Sequence, residues 1–371
     1  MSRLNVSNLF NENEDGAPVV SGISTFSSPN YFVPPSGSTA QRPSSPGEGM
    51  IRFNTDSGHL EYYNSELWVD VIVKQSAPLG GRAVNIGGYD GSARTEIIDY
   101  VTISTTGNAL DFGDVSSNPN MDAAACSSVT RGVWAGGRNP SPNTTTMQYL
   151  EFANLSDTIT FGNLGTGRFE HGSCSDSTRG LFAGGRNPTA QSSIEQITFA
   201  STGTVSTFGA LSGSRRCMVG ASSPTRGIFA GGYSSIVDTI EYVTIQSDGT
   251  AQDFGNLSVA RGFAGASTSS VRAVIGGGLG SPARVDTIDY VTTSTTGNAQ
   301  DFGNLIAATD GLLGGGSSNQ IRGIFSGGYT GSATNTIQYI TIATTGDARD
   351  FGDLTLARNR LGSCSNGHGG L

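Results

Sequence analysis

Histidine and cysteine, the residues that most often form zinc sites, are both scarce in this chain. His59, His171 and His368 stand far apart, and no HxH, HExxH or mixed His/Cys cluster occurs. A metal site needs three or four such ligands at suitable spacing, so the sequence predicts no metal and no other cofactor. It also lacks a GxSxG, Walker A or paired catalytic carboxylate motif. We therefore predict that the protein is not an enzyme.

Seven tyrosines and arginines are the candidates for binding a ligand. They stand in the variable segments that follow pairs of glycines: Tyr89, Arg94, Arg138, Arg186, Tyr233, Arg284 and Tyr329. Tyrosine and arginine offer flat apolar area with hydrogen-bonding ends, which suits contact with a glycan or a protein. The alternative is that these residues are merely exposed loop positions.

Arg138 and Arg186 form a special pair among these candidates, because each directly follows a glycine pair and precedes Asn-Pro. Two arginines on proline-stiffened loops could cradle an acidic sugar or a carboxylate, which arginine binds in a bidentate manner. The alternative is that each arginine covers the edge of its own structural unit.

The glycine pairs belong to a repeat of 46 to 50 residues in which an arginine precedes each pair by five positions. The six copies run from Arg82 to Gly87-Gly88, Arg131 to Gly136-Gly137, Arg179 to Gly184-Gly185, Arg226 to Gly231-Gly232, Arg272 to Gly277-Gly278 and Arg322 to Gly327-Gly328. A period near 50 residues with a diglycine after an apolar run is typical of β-propellers.

Each repeat is predicted to contain four short strands, which we call a, b, c and d. In the fifth repeat they are residues 261–269, 272–278, 286–293 and 299–305. The first repeat lacks an a strand, and residues 358–366 supply a spare one. The sequence therefore predicts an all-β fold with a six-bladed propeller that the C-terminal strand closes, which leaves no free sheet edge.

Two residue types that recur in every repeat are predicted to be structural. The phenylalanine of each d strand should pack between blades, at Phe112, Phe161, Phe208, Phe254, Phe302 and Phe351. The arginine that begins each b strand should form hydrogen bonds within its own blade, for example to the aspartate of the DFG motif at Asp111, Asp253, Asp301 and Asp350. Three of the four cysteines, Cys126, Cys174 and Cys364, occupy equivalent a-strand positions. This placement predicts buried free thiols on inner strands.

Units of the form R…GASS–x–RGxFAGGY–…–YVTI–…–DFGNL resemble kelch-type repeats over about residues 80–371. The d strands depart from that pattern, because they carry phenylalanine where kelch repeats carry tryptophan. The tyrosine after the glycine pair matches in the first, fourth and sixth repeats, whereas Arg138, Arg186 and Leu279 replace it in the others. The resemblance implies a kelch-like propeller fold and no particular activity.

Residues 1–75 do not share the repeat. Residues 34–47 are predicted to form an extended Pro/Ser/Gly-rich connector, and residues 50–55, 59–63 and 67–73 a three-stranded β-meander. The predicted domains are an extended N-terminal attachment arm (1–36), a small β-meander module (37–75) and the propeller (76–371).

The stretch GSTAQRPSSPGEGMIRFNTDSGHLEYYNSELWVDV is similar to a small module of tail-fibre and other virion proteins of tailed phages. Its marks are Arg42-Pro43, the run from Gly49 to Thr55, the run from Leu60 to Tyr63, and Trp68. The lead-in PVVSGISTFSSPNYFVPP resembles the N-terminus of structural proteins of cyanophages. The resemblance implies a virion protein, in the tail or a surface appendage, made in the host cytoplasm.

On this resemblance, we expect a tail-fibre or appendage component that contacts other virion proteins through residues 1–75 and binds a host surface glycan or protein without catalysis. A homo-oligomer is one possible assembly. The alternatives are a purely structural baseplate, collar or capsid-decorating protein, and a glycan-active enzyme, which the missing catalytic residues disfavour. The net charge of −9 argues against a nucleic-acid partner, and the absence of a long apolar run argues against membrane insertion.

Overall fold

The computed structural model describes residues 34–71, 81–116, 120–138, 143–203, 205–313 and 317–371. The chain divides into two compact units, residues 1–74 and 75–371. In the described ranges both units are built from strands, and the only helix is a 3-10 turn at Thr39–Gln41. The predicted all-β class is confirmed. All but the last three residues of the predicted arm (1–36) lie outside the described residues.

The described part of the first unit is a four-stranded sheet. Its strands are β1 (Ser36–Gly37), β2 (Ile51–Asn54), β3 (His59–Tyr63) and β4 (Trp68–Val71), in that spatial order. The three predicted strands of the meander are present, and they pair in antiparallel fashion. Strand β1, which spans the predicted boundary between residues 36 and 37, was not predicted. It pairs in parallel with β2, and the Phe53 amide donates to the Pro35 carbonyl at 2.8 Å. The start of the predicted connector is therefore fixed to the sheet.

The described part of the second unit contains twenty-four further strands. In chain order they are β5 (Arg82–Ile86), β6 (Ile97–Thr102), β7 (Leu110–Asp114), β8 (Ala124–Ser127), β9 (Arg131–Ala135), β10 (Thr146–Glu151), β11 (Ile159–Asn163), β12 (Gly172–Ser175), β13 (Arg179–Ala183), β14 (Arg186–Asn187), β15 (Thr189–Thr198), β16 (Ser206–Arg215), β17 (Val219–Ser222), β18 (Arg226–Ala230), β19 (Thr239–Thr244), β20 (Gln252–Asn256), β21 (Gly265–Thr268), β22 (Arg272–Gly276), β23 (Thr287–Thr292), β24 (Gln300–Asn304), β25 (Arg322–Ser326), β26 (Thr336–Thr341), β27 (Arg349–Asp353) and β28 (Gly362–Ser365).

These strands form antiparallel sheets, one for each repeat, that are consistent with propeller-like blades. In the order a-b-c-d, sheet 1 is β28-β5-β6-β7, sheet 2 is β8-β9-β10-β11, sheet 4 is β17-β18-β19-β20 and sheet 5 is β21-β22-β23-β24. The predicted pairing of the C-terminal strand with the first repeat is thus present, with Cys364 opposite Val84. Strands a to d of the fifth repeat lie where they were predicted.

Sheets 3 and 6 depart from the four-strand pattern. In sheet 3 (β12-β13-β15-β16) the c and d strands are ten residues each, and the two-residue strand β14 pairs with the start of β15. Sheet 6 consists of β25-β26-β27. In place of an a strand, its described residues provide only an isolated bridge between Ser318 and Gly323, next to residues 314–316, which lie outside the description.

Burial falls from strand a to strand d in the five sheets whose described residues include an a strand. All residues of β8, β12, β17, β21 and β28 are buried, whereas the d strands bury little besides their phenylalanine. The predicted inner position of Cys126, Cys174 and Cys364 is confirmed, and their thiols are free. Each of the six larger core clusters of the described residues joins two neighbouring sheets. Phe112 of sheet 1, for example, packs in one cluster with Trp134 and Leu150 of sheet 2, so the predicted inter-blade packing of the phenylalanines is confirmed.

The recurring glycine pair connects neighbouring sheets. Its second amide donates to the carbonyl of the residue at the entrance to the next sheet, as in Gly137 to Arg168 at 2.8 Å and Gly328 of sheet 6 to Arg358 of sheet 1 at 2.9 Å. Two features exclude a side chain at Gly136: its φ is +65°, and a Cβ would lie 2.5 Å from the Arg168 carbonyl oxygen.

The arginine that begins each b strand also connects sheets, which corrects the predicted hydrogen bond within the blade. Its Nη1 donates to a carbonyl at the end of the c strand in the following sheet. Examples are Arg131 to Phe199 at 2.9 Å and Arg226 to Thr293 at 2.9 Å. The DFG aspartate is not its partner, because the guanidinium lies over the tyrosine of its own c strand, as in Arg226 over Tyr242 at 4.4 Å.

Four sheets contain a buried ion pair that sequence reasoning missed. An arginine at the entrance to strand a meets a carboxylate of strand c: Arg168 with Glu195, Arg215 with Glu241, Arg261 with Asp289 and Arg358 with Asp99. In sheets 2 and 6 the entrance residue is Asn120 or Thr309, and the c-strand residue is then Gln148 or Gln338. The charge is therefore gained or lost at both positions together, as a buried pair requires.

Candidate functional site

The seven candidate residues lie in the b–c segments, at the end of the sheets where the chain also enters each a strand. We call this end the b–c face, and the end with the a–b and c–d turns the c–d face. The antiparallel order of the strands places each b–c segment at the same end of its own sheet. Residues 139–142, which follow Arg138, lie outside the described residues.

A chain of backbone hydrogen bonds runs through the a-strand entrances on the b–c face. Each bond joins an entrance to that of the preceding sheet: Glu170 to Asp122, Cys217 to Glu170, Phe263 to Cys217, Leu312 to Phe263, Arg360 to Gly311 and Asp122 to Arg360, at 2.7 to 3.2 Å. In sheet 6 the donor, Leu312, follows the equivalent residue, Gly311, by one position. Gly311 and its five non-glycine equivalents all have φ between +56° and +67°. Few L-residues adopt this conformation, so residue type could not have revealed these positions.

Two carboxylates on this chain of hydrogen bonds have arginine partners. Arg360 lies 3.2 Å from Asp122, and Arg216 lies 2.5 Å from Glu170. Burial raises the pKa of Asp122 to about 6 even though Arg360 opposes the shift. Both carboxylates are at least 95% buried. They therefore hold arginines in place and are poorly exposed to a ligand.

Arg138 and Arg186 meet at one aromatic ring. Their guanidinium carbons lie 5.7 and 5.9 Å from the centre of the Phe169 ring, which is itself buried. Both arginines are exposed, and within the described ranges neither has a carboxylate at ion-pair distance. Arg186 is held by a 2.8 Å bond from its Nε to the Pro188 carbonyl. The predicted neighbourhood of these two residues is therefore observed.

Arg94 and Tyr89 belong to the neighbouring b–c segment. The Nε of Arg94 donates to the Arg138 carbonyl at 2.8 Å, which connects the segments of sheets 1 and 2. The Tyr89 hydroxyl donates to the Gly91 carbonyl at 2.9 Å, and its backbone bridges to Arg94 and Asn359. Both side chains thus stabilise the loops, and Arg94 fixes the backbone that carries Arg138.

The other three candidates form separate contacts. Arg284 stacks on Tyr329 at 4.6 Å and lies 3.1 Å from an oxygen of Asp310. Tyr233 packs edge-on against Phe263 at 5.4 Å, next to an apolar cluster of Cys217, Phe263 and Leu313. The ion pair with Asp310 engages Arg284, whereas Arg138 and Arg186 have no carboxylate at ion-pair distance within the described ranges and converge on one ring.

The cysteine and histidine at the a-strand entrances of this face, Cys217 and His171, are buried. Burial raises the pKa of the Cys217 thiol far above its usual value, which keeps it protonated. Burial lowers the pKa of His171 to about 3, and its ring packs edge-on against Phe182 at 5.8 Å. Among the described residues, no three His, Cys, Asp or Glu side chains are grouped as a metal site would require.

Comparison with known proteins does not assign the chain to a family. No protein-family model matches the sequence, and no curated protein matches it either. None of the described helical segments has the length and apolar character needed to cross a membrane. The function is therefore best inferred from the geometry of the b–c face.

Proposed function

We propose that the protein is a non-enzymatic binding protein that holds exposed arginines towards a ligand on a cell surface. The observation that carries this proposal is the stacking of Arg138 and Arg186 on Phe169. Stacking fixes both guanidinium planes before a ligand arrives, so less side-chain entropy is lost on binding. The ligand that fits is an anionic glycan or an acidic protein segment, because each guanidinium can bind a carboxylate with two parallel hydrogen bonds.

The scaffold in this proposal is a six-bladed, kelch-like propeller closed by β28. Four sets of inter-sheet contacts support it: the diglycine bonds, the b-strand arginine bonds, the bonds between a-strand entrances and the shared core clusters. Each set includes a contact between sheet 6 and sheet 1, for instance Arg322 Nη1 to the Ser104 carbonyl at 2.9 Å and the cluster that joins Phe351 to Ala83. A rigid ring would keep the b–c segments in fixed positions.

The first unit is proposed to attach the protein to a phage particle, as its resemblance to virion modules implies. One face of its sheet supports this role, because the outward residues of β2 and β3 are apolar and exposed: Ile51 at 54%, Phe53 at 38% and Tyr62 at 38%. Neighbouring exposed apolar residues are typical of a surface that binds a partner. A chain lacking residues 1–74 should therefore fail to enter particles, and its normal incorporation would contradict this role.

Two experiments separate the proposal from its alternatives. The purified full-length protein should adsorb to host cells and compete with the virus for attachment. Adsorption by the virus that is unaffected by excess protein would favour a purely structural baseplate, collar or capsid-decorating role. The same protein incubated with host surface polysaccharide should leave the polymer length unchanged, whereas shortening of the polymer would favour a glycan-active enzyme.

A further inference from the structure

A polar cleft recurs on the c–d face, away from the arginines of the proposed binding site. It is present in sheets 3, 5 and 6, with cavity volumes of about 290, 230 and 320 Å³. In each case the walls are the b-strand arginine, the outward side chain of strand c, and the c–d turn. Equivalent residues of the repeat thus form the same cleft three times.

The sheet 5 cleft shows how its side chains are held. The guanidinium of Arg272 lies 4.5 Å from the ring centre of Tyr290, and its Nη1 donates to the Ile342 carbonyl at 3.0 Å. The Tyr290 hydroxyl donates to Oε1 of Gln300 at 2.6 Å. This hydrogen bond uses the oxygen of the Gln300 amide and not its nitrogen. The exposed Thr295 and Thr296 complete the wall. The cleft therefore combines a fixed cation, an amide and hydroxyl groups.

Several wall positions differ between the clefts, such as Gln196 in sheet 3 against Tyr290 in sheet 5, and one of them adds a second arginine in sheet 6. That position is the first residue of strand d, which is Ser206 in sheet 3, Gln300 in sheet 5 and Arg349 in sheet 6. In sheet 6 the cleft consequently has two arginines, Arg322 and Arg349, and the hydroxyls of Thr344 and Thr345. Its one carboxylate, Asp347, accepts a hydrogen bond from the Asn304 backbone amide at 2.9 Å. That cleft is the one suited to an anionic substituent.

The fold does not require hydroxyl groups at these turns. Sheet 2 has the same strands, yet its turn contains Asn154 and Leu155 at the positions of the two threonines. Its d strand begins with Ile159, which is 55% exposed. Strand pairing therefore does not require the hydroxyl groups that line the clefts of sheets 3, 5 and 6.

We propose that these clefts are equivalent subsites for a hydroxyl-rich polymer, that is, a polysaccharide with a repeating unit. Each cleft is near the lower end of the volumes of small-molecule sites, which suits one or two sugar rings. Arginine, glutamine and threonine supply the donors and acceptors that sugar hydroxyls need. Single clefts bind weakly, but several on one scaffold raise the effective concentration for a long chain. The sheet 6 cleft takes a sugar that bears a carboxylate or sulfate.

The test uses the full-length protein on a printed array of bacterial surface polysaccharides. A variant in which the turns of sheets 3, 5 and 6 copy sheet 2 removes the hydroxyl pairs: Ser201→Asn, Thr202→Leu, Thr295→Asn, Thr296→Leu, Thr344→Asn and Thr345→Leu. We expect at least a tenfold loss of affinity for the bound polymer, a smaller loss when one sheet is changed, and much weaker binding of the isolated repeating unit.

A second variant covers the case in which the multiple change disturbs folding. Arg349→Ala alters one exposed side chain, and we expect it to weaken binding of anionic polymers but not of neutral ones. Leu155→Ala serves as the control, since this residue is 56% exposed in the sheet 2 turn, outside both proposed sites, and its change should leave binding unchanged. Absence of any bound polysaccharide, or binding that is indifferent to the cleft variants, overturns the proposal.

Discussion

The sulfur of Cys174, on the innermost strand of sheet 3, occupies the space in which a side chain at Gly227 of sheet 4 would begin. A Cβ at Gly227 would lie closer to that sulfur than real Cβ contacts allow. The same relation holds between Cys126 and Gly180, at 2.6 Å, and between Cys364 and Gly132, at 2.9 Å. At the next interface, Ala221 and Ala273 share one core cluster instead. At these three interfaces the cysteine sulfur of one sheet therefore fills the space that a side chain at the glycine of the next sheet would need.

This relation predicts a strong coupling between the two residues. Gly227→Ala should destabilise the protein by about 1 to 3 kcal/mol, because the added methyl group overpacks the interface. Adding Cys174→Ala should restore most of the loss, since the pair then copies Ala221 and Ala273. Denaturant unfolding of the two single variants and the double variant measures the coupling. Effects that simply add would show that the sulfur does not determine the glycine.

The neighbouring interface provides a matched comparison. A Cβ at Gly180 would also lie 3.0 Å from Ile197 and 3.1 Å from Phe199, whereas at Gly227 the nearest other side chain, Val243, is at 3.3 Å. Cys126→Ala should therefore rescue Gly180→Ala only in part. Equal rescue at both interfaces would contradict the packing described here.

The buried pair of Arg261 and Asp289 should be costly to break. The two side chains are fully buried and 3.0 Å apart, so Asp289→Ala leaves an uncompensated charge and should cost about 3 to 5 kcal/mol. The double change Arg261→Asn with Asp289→Gln copies sheet 2 and should cost clearly less. Unfolding free energies decide the matter, and a double variant less stable than Asp289→Ala would contradict the compensation between these positions.

The strands could be predicted from sequence because their signals are local. Strand c of sheet 5, Thr287–Thr292, alternates apolar and polar residues, and the glycines and asparagines between strands define turns. β14 could not be predicted in the same way, since two residues such as Arg186 and Asn187 carry no periodicity. The extra length of β15 and β16 likewise depends on pairing that no single segment contains.

The candidate site was predictable only in part, because contacts across sheets are not local. The position of Arg138 and Arg186 after the glycine pair indicated that they lie in equivalent places, but not that Phe169 lies between them. The prediction that the b-strand arginines form hydrogen bonds within their own sheet is wrong for the same reason. One signal of the buried ion pairs is present in the sequence: sheet 2 has Asn120 and Gln148 at the positions of Arg261 and Asp289, so both charges are absent together.

His171 should make the protein less stable in acid. Its folded pKa is lowered to about 3 by burial, whereas the unfolded side chain titrates near pH 6.5. The unfolded state therefore binds more protons between these values, and stability is lost as the pH falls below about 6.5, by up to about 1.4 kcal/mol per pH unit. His171→Leu, which copies Leu361 of sheet 1, should lose about 2 kcal/mol less between pH 7.5 and 5.

Other buried titratable groups do not affect the comparison of the wild type with His171→Leu. His368, whose pKa burial lowers to about 4, also destabilises the fold in acid, while Asp122, with its raised pKa, acts in the opposite direction. Both remain in the variant, so their contributions cancel in the difference. Equal pH dependence of the wild type and His171→Leu would show that His171 is not buried in neutral form.

Strand β28 should be needed for cooperative unfolding. Removing residues 358–371 deletes the strand that pairs with β5 and also Arg358, which bonds to Asp99 at 2.8 Å. Sheet 1 would then expose an edge next to a buried carboxylate. We expect a broad transition at a lower temperature by calorimetry. A truncated chain that melts as sharply and as high as the intact one would contradict closure by the C-terminal strand.

The most direct measurement of the proposed function is adsorption of the full-length protein with Arg138→Ala and Arg186→Ala. Both side chains are exposed, so the melting temperature should stay within a few degrees. Adsorption to host cells should weaken at least tenfold, which corresponds to about 1.4 kcal/mol, and Arg138→Lys with Arg186→Lys should fall in between because lysine keeps the charge but not the planar fork. Unchanged adsorption by the folded alanine variant would contradict binding through this face.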